Sequence, residues 1–305
     1  MLAQRIFSIS DAEYINKLII IDQDDILSKC DYIKYFIQKG FWVINYSDDL
    51  DFRVHHSEAL LDNISKYLVV VLVDSYIPYD ILTAFKVYQL SYSSLFPNLN
   101  DNLVRSLDYT NLDILSLAYK TCFSDYLEPK DTERYIRESV MNRELITEYL
   151  RLKLADLSVL SETANDYKEW RELAFLKAQI DVKAAECNID IDTGMIHSRF
   201  SKFIVEKFNS LSAIIEKENP VTVSRAMEYM CDLSEKFVII VMDGMSEFDW
   251  QILARGFWGL TYQKTGVFAM IPTTTSISRQ CLLSGKFPGE LLSPWNQSKE
   301  EAEFR

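Results

Sequence analysis

The sequence predicts an α/β protein: a small parallel-sheet amino-terminal domain, a helical middle region and the first part of an alkaline-phosphatase-like α/β domain. Three observations lead to this prediction. Short apolar runs alternate with helical stretches near the amino terminus, apolar residues recur at helical spacing through the middle, and strand patterns return near residue 236. The corresponding regions are 1–98, 99–235 and 236–305.

The first domain is predicted from three apolar strands, each followed by a helical segment. The strands are KLIIID at 17–22, FWVINYS at 41–47 and KYLVVVLVDSY at 66–76. Nearly continuous apolar strands that alternate with helices are typical of a parallel sheet covered on both faces. The acidic stretch DQDD after the first strand is predicted to cap the next helix through Asp24 or Asp25.

The middle of the chain is predicted to be helical. Two long stretches, at 131–160 and 169–187, carry apolar residues at a helical period. No glycine occurs between residues 41 and 193, which favours helices joined by few tight turns.

The last region is predicted to open a second sheet. KFVIIVMD at 236–243 has the pattern of a buried strand that ends in Asp243, and GVFAMI at 266–271 has the pattern of another. Between Pro272 and Gly285, a helix is predicted to begin at Thr275 as its N-cap and to end at the glycine.

Composition excludes several functional classes. The net charge of −13 is unsuited to an extended nucleic-acid surface, which needs many lysine and arginine contacts to phosphate. No apolar run approaches the ~20 residues of a membrane span, and the amino terminus lacks the apolar segment of a signal peptide. The cysteines are scattered without a C-x-x-C pair, which favours buried thiols in a reducing cytosol; they are Cys30, Cys122, Cys187, Cys231 and Cys281.

Asp243, Thr275 and Arg279 are the residues of the last region that could carry chemistry. Ligands of open α/β sheets bind beside the carboxyl ends of the strands, where an acid such as Asp243 suits a metal ion. A hydroxyl at a helix start lies beside free N–H groups and the positive end of the helix dipole, which suits a phosphate. Arg279, one turn on, could contact a phosphate oxygen. Each also has a structural interpretation, as a helix cap or a surface charge.

Together, Asp243 and Thr275 predict half of a metallo-phosphatase centre. In this hypothesis the Thr275 hydroxyl, activated by a metal ion on Asp243, attacks the phosphorus of a phosphoester. The product of this attack would be a phosphothreonine, which water would then hydrolyse.

The motifs FVIIVMDGMS and FAMIPTTTSISRQCLLSGKFP resemble the PglZ domain of the alkaline-phosphatase superfamily. The resemblance implies a metal-binding aspartate at the end of the first strand, a nucleophile that opens a helix, and an arginine four residues after that nucleophile. Thr275 lies four residues before Arg279 and ten before Gly285, so this register selects it over Thr273 and Thr274.

The amino-terminal part of the chain resembles PglZ proteins of BREX phage-defence systems, through LIIIDQDDIL, VVVLVDSYIPYDIL and SLFPNLNDNLVRSLDYTNLDIL. The carboxyl-terminal motifs resemble the type 3 branch. The resemblance implies a cytoplasmic, metal-dependent hydrolase of phosphoesters, phosphodiesters above all, with Zn²⁺ as its cofactor and other BREX-type defence proteins as partners. The alternative is a non-catalytic scaffold that docks those defence proteins.

One feature departs from the family pattern. The family completes its two-metal site with aspartates and histidines downstream of the nucleophile, whereas residues 244–305 contain no histidine. We therefore expect the chain to be either an amino-terminal fragment of a longer protein, which we favour, or a truncated relative. In both cases it lacks half of the metal site and is inactive by itself.

Two further groups have structural explanations. Asp22 and Asp74 end strands, as the phosphorylated aspartate of a receiver domain does, but the later receiver strands are missing from 79–125. Both aspartates are therefore predicted to cap helices. His55 and His56 are adjacent on a helix and point in different directions, which predicts solvated or half-buried imidazoles instead of a metal pair.

Overall fold

The computed structural model describes residues 1–29, 32–72, 75–119, 125–211, 213–214, 216, 219–257, 260 and 262–296. The chain divides into two compact units, Met1–Tyr149 and Leu150–Arg305, called here the first and second units. Helices and an all-parallel sheet make the protein a mixed α/β fold, as predicted. No helix in the described ranges has the length and apolar character needed to cross a membrane.

A four-stranded sheet forms the centre of the first unit. Its strands are β1 (Lys17–Asp22), β2 (Phe41–Asn45), β3 (Lys66–Leu72) and β4 (Lys86–Leu90), in the order β2-β3-β1-β4, and every pairing is parallel. The three predicted strands are confirmed. The fourth was not predicted, because KVYQL contains no apolar run. In the fold, Leu90 is the one buried residue of this strand.

Short helices connect the strands and then follow the sheet. Those before and between the strands are α1 (Leu2–Ile9), α2 (Ile26–Lys29), α3 (Tyr32–Gln38), α4 (Asp49–His55), α5 (Glu58–Leu61) and α6 (Tyr79–Ala84). Those after β4 are α7 (Tyr92–Leu95), α8 (Asp101–Arg105), α9 (Tyr109–Ala118), α10 (Pro129–Tyr135), a π-helical turn (Ile136–Val140) and α11 (Arg143–Thr163), which contains the boundary between the units.

Both faces of the sheet are buried, as apolar parallel strands predict. On one face, Ile19 of β1 packs in a core with Phe52 of α4 and Ile81 of α6. The alternate residues of β1, Leu18 and Ile20, point to the opposite face and are also fully buried.

Asp22 caps the helix that follows β1. Its carboxylate is 2% exposed and accepts hydrogen bonds from the first two backbone N–H groups of α2, at 2.9 and 2.7 Å. Burial raises the pKa of Asp22. The predicted capping role is confirmed for Asp22. Asp24, another predicted cap, accepts from the backbone N–H of Tyr92 and pairs with Arg105; its capping role stays a prediction. Asp74 lies outside the described residues.

The two neighbouring histidines have the surroundings that the sequence predicts. His55 is exposed at the end of α4 and His56 is half-buried just beyond it. Their ring centroids are 6.4 Å apart, and the carboxylate of Asp51 lies 3.8 Å from the Nε2 atom of His55.

Helices make up the regular structure described in the second unit. After α11 come α12 (Tyr167–Glu186), α13 (Gly194–Leu211), α14 (Ala226–Leu233), α15 (Glu247–Leu253) and α16 (Thr275–Ser284), with 3₁₀ turns at Val223–Arg225, Ala254–Gly256 and Pro288–Glu290. The two long predicted helical stretches correspond to α10–α11 and α12. The predicted boundaries at 98 and 235 stay predictions.

The two strands predicted in the last region are wrong. Residues 237–242 do not form a strand, and Val238 and Ile240 are 86% and 83% exposed. The second segment, 266–271, forms a single β-bridge, between Phe268 and Thr222. A strand needs neighbours that satisfy its N–H and C=O groups, and the described part of the second unit contains no sheet that could receive one.

The prediction of buried thiols holds at one of the three described cysteines. Cys281 is buried, Cys187 is half-buried and Cys231 is exposed. Helix α14, which carries Cys231, has no buried residue, so its thiol has no core to enter. Cys30 and Cys122 lie outside the described residues.

Candidate functional site

Helix α16 has the end that the sequence predicts. Gly285 follows it with φ 72°, in the left-handed region that favours glycine, and its N–H donates to the carbonyl of Cys281 at 3.0 Å. Ile277 and Cys281, one turn apart, pack in a small core with Met270 and Leu291. This packing fixes which face of α16 is buried.

The start of α16 differs from the prediction by one residue. Thr274 is the N-cap, because its backbone is extended (φ −94°, ψ 145°) and its carbonyl accepts the first helical hydrogen bond, from the N–H of Ser278 at 2.9 Å. Thr275 is the first residue of the helix and is half-buried. It therefore lies within the first turn, where backbone N–H groups lack intrahelical partners.

The threonine hydroxyls do not cap this helix. The side chain of Thr274 makes no capping hydrogen bond, and its Oγ1 atom is buried without a partner among the described residues. The hydroxyl of Thr275 likewise has no hydrogen-bond partner in the described part of the chain. The structural interpretation of Thr275 as a capping residue is therefore wrong.

Arg279 lies one turn beyond Thr275, and its side chain is exposed to solvent. Residues four apart on a helix share a face, so the guanidinium and the Thr275 hydroxyl lie on the same side of α16. This placement agrees with the predicted geometry for a phosphate held between the helix start and an arginine.

Gln280 is a positioning residue that the sequence reasoning missed. It is fully buried, and its Nε2 atom donates to the carbonyls of Ser276 (2.9 Å), Ser293 (3.3 Å) and Pro294 (3.2 Å). These bonds hold the segment after the 3₁₀ turn against α16. The signal in the sequence is a polar side chain on the helix face that also carries Ile277.

Asp243 does not lie at the end of a strand, where the sequence predicted it. It is exposed in a turn after the unpaired segment 237–242, and it makes no hydrogen bond or ion pair with another described residue. The described residues also contain no group of three or more His, Cys, Asp or Glu side chains that could hold a metal ion. They therefore do not fit the metal centre that the resemblance implies.

We expect Thr274→Val to leave the free energy of unfolding unchanged or to raise it by up to about 1 kcal/mol, because it removes a buried hydroxyl that has no partner. An N-cap threonine that did cap its helix would lose about 1 kcal/mol instead. Urea denaturation checks this, with Thr274→Ser as the matched control that keeps the hydroxyl. A loss of 1 kcal/mol or more in the valine variant would show that the hydroxyl has a partner.

Comparison of the chain with known protein families, curated proteins and solved structures gives no match. The resemblance to PglZ domains therefore rests on the motifs in the sequence alone.

Proposed function

We propose that Thr275 is the nucleophile of a PglZ-type, metal-dependent phosphoester hydrolase that acts in a BREX-type antiphage system. The start of α16 carries this proposal. The Thr275 hydroxyl is unpartnered in the described part of the chain and lies at the first turn of a helix, with Arg279 one turn away on the same side. A capping hydroxyl would be engaged with the backbone, whereas the Thr275 hydroxyl is left available to a ligand at the helix start.

The chemistry of this site follows from the groups at the helix start. Free N–H groups and the helix dipole favour a phosphate there, and the planar guanidinium of Arg279 can bind two of its oxygens. The Thr275 hydroxyl would pass its proton to the leaving alkoxide as its oxygen bonds to phosphorus and the bond to that alkoxide breaks. Water would then cleave the bond between Thr275 and phosphorus, which releases a phosphomonoester from a phosphodiester substrate or phosphate from a phosphomonoester.

The cofactor proposed for this reaction is a divalent ion, Zn²⁺, with Asp243 among its ligands. The remaining ligands are not found among the described residues. The proposal therefore applies to a protein that supplies them, and we expect the 305-residue chain alone to hydrolyse neither phosphodiesters nor phosphomonoesters.

A non-catalytic scaffold is the second candidate, and exposed apolar side chains favour it. In the first unit, Leu72, Tyr76 and Tyr79 follow one another at and after the carboxyl end of β3, and the two tyrosines are each 80% exposed. In the second unit, the segment 237–242 exposes Val238 and Ile240. Apolar residues grouped in this way are typical of surfaces that bind other proteins.

Turnover of bis(p-nitrophenyl) phosphate with added Zn²⁺, Mn²⁺ or Mg²⁺ separates the two candidates. The 305-residue chain and any longer protein that contains it are measured side by side, each with Asp243→Asn as the variant that loses a ligand charge. Metal-stimulated turnover by such a longer protein that falls by orders of magnitude in Asp243→Asn supports the hydrolase. No turnover, with retention of a neighbouring defence protein in a pull-down, supports the scaffold. Metal-dependent turnover by the 305-residue chain would overturn the expectation that its metal site is incomplete.

A further inference from the structure

A cavity of about 580 Å³ lies in the second unit, and its lining does not include Asp243, Thr275 or Arg279. Helices α12, α13 and α15 and the segment 263–269 form its walls. Its volume falls within the range of about 300–1,000 Å³ that is usual for small-molecule sites.

Aromatic side chains line much of this cavity: Trp170, Phe175, Phe200, Trp250 and Phe268. Trp170 and Phe200 have ring centroids 5.3 Å apart, and Phe200 and Phe268 stack at 6.2 Å with an interplanar angle of 20°. Flat faces of this kind favour a planar ring as the occupant.

Two polar groups in the wall have no hydrogen-bond acceptor. Trp170 is 4% exposed, and its indole N–H has no partner among the described residues. The adjacent Arg171 has a buried Nη1 atom that is likewise unpartnered. A buried donor without an acceptor is unfavourable. Both residues line the cavity, so each donor marks a position for an acceptor that the ligand would supply.

The charges around the cavity favour an anion. Lys264 lies 2.7 Å from the carboxylate of Glu247, so its charge is balanced within the wall. Arg171 has no ion-pair partner among the described residues. The carboxylate of Glu216, whose pKa is lowered by Lys168 and to a lesser extent by Arg171, pairs with Lys168 at 2.8 Å and accepts from Tyr167 at 3.0 Å.

We propose that this cavity binds a planar aromatic compound that carries an anionic group. The ring would lie between the aromatic walls, and the carboxylate or phosphate would accept hydrogen bonds from Arg171 and Trp170. Gly266 allows the backbone of the segment 263–269 to approach the side chains of α12. A Cβ atom at this position would lie 3.1 Å from both Arg171 Cγ and Phe175 Cζ. A side chain at position 266 would therefore displace the arginine and the ring together.

Calorimetric titration of the whole chain with indole-3-acetate and with adenosine monophosphate tests the proposal. Indole and adenosine are the neutral controls. Affinity should depend on the anionic group as well as on the ring, so at least one anion should bind more tightly than its neutral analogue. The anion that binds more tightly shows whether the site prefers a carboxylate or a phosphate. Arg171→Gln should weaken its binding by about tenfold or more, because a charged hydrogen bond is lost. Arg134→Gln, an exposed charge paired with Asp131, is the matched control and should bind as the wild type does.

A second measurement covers the case in which Arg171→Gln fails to fold. The ¹⁵N-indole resonance of Trp170 in the wild-type chain, assigned with Trp170→Phe, should shift when the anion is added. Gly266→Ala should reduce this shift without removing a charge. The proposal is overturned if neither anion binds at about 1 mM. It is also overturned if the Trp170 resonance does not respond, or if folded Arg171→Gln binds as tightly as the wild type.

Discussion

In a protein that contains this chain and hydrolyses a phosphodiester, Thr275→Ala is expected to lower kcat by a factor on the order of 10⁴–10⁶. The change removes the oxygen that would bond to phosphorus, and no other hydroxyl occupies the first position of α16. The free energy of unfolding should change by less than about 1 kcal/mol, since the Thr275 hydroxyl makes no capping hydrogen bond. Steady-state kinetics and urea denaturation of the same preparations measure the two effects.

Two variants control for the effect of altering this helix start. Thr275→Ser keeps an oxygen at the same position and should retain much of the activity. Thr273→Ala changes an exposed hydroxyl outside the helix and should be mild. Mass spectrometry of an acid-quenched reaction should find the phosphoryl group, with the alcohol that the substrate retains, on the peptide that contains Thr275. Equal turnover by Thr275→Ala and the wild type would exclude this residue as the nucleophile.

The sheet of the first unit was predictable because its inner strands are buried on both faces. Each of β1 and β3 is almost wholly apolar, and such runs have few other places to lie in a folded protein. The edge strand β4 was missed for the same physical reason, since most of its side chains face solvent. The cap of α2 was predicted both at Asp22 and at Asp24 or Asp25, and the fold shows the Asp22 carboxylate turned toward the N–H groups of this helix.

The segment 237–242 shows where an apolar pattern alone is insufficient. FVIIVM has the composition of a buried strand, but strand formation depends on neighbours that the pattern does not describe. The end of α16 was predictable, by contrast, because Gly285 meets a local requirement for positive φ. Its start was one residue off because three consecutive threonines are nearly equivalent as caps.

The aromatic cavity could not be predicted because its walls come from segments distant in the sequence. Trp170 and Phe175 lie on α12, and Trp250 and Phe268 come 75 to 98 residues later. On each helix, aromatic residues at such spacing look like ordinary core positions. The feature that separates them from a core is the pair of unpartnered donors at Trp170 and Arg171, which only the three-dimensional arrangement reveals.

Asp113→Ala is expected to lower the free energy of unfolding of the first unit by about 3–5 kcal/mol. Asp113 of α9 is 1% exposed; its Oδ1 atom accepts from the backbone N–H of Leu2 at 2.6 Å and lies 3.1 Å from the amino-terminal ammonium of Met1. Alanine would leave a backbone donor and an ammonium group without this partner, in a site from which water is largely excluded. The carboxylate thus holds α1 against α9, so its loss should also release the amino-terminal helix.

Two matched variants distinguish the buried charge from an ordinary capping carboxylate. Asp113→Asn keeps an acceptor for the N–H of Leu2 but loses the charge, so its destabilisation should be smaller than that of Asp113→Ala. Asp108→Ala, at the exposed N-cap of the same helix, should cost about 1 kcal/mol, because its side chain only accepts from the first turn. Urea denaturation followed by circular dichroism gives all three values. Hydrogen exchange at Leu2 should accelerate most in Asp113→Ala, since that amide loses its acceptor. A destabilisation by Asp113→Ala no larger than that by Asp108→Ala would mean that the buried carboxylate contributes no more than a surface cap.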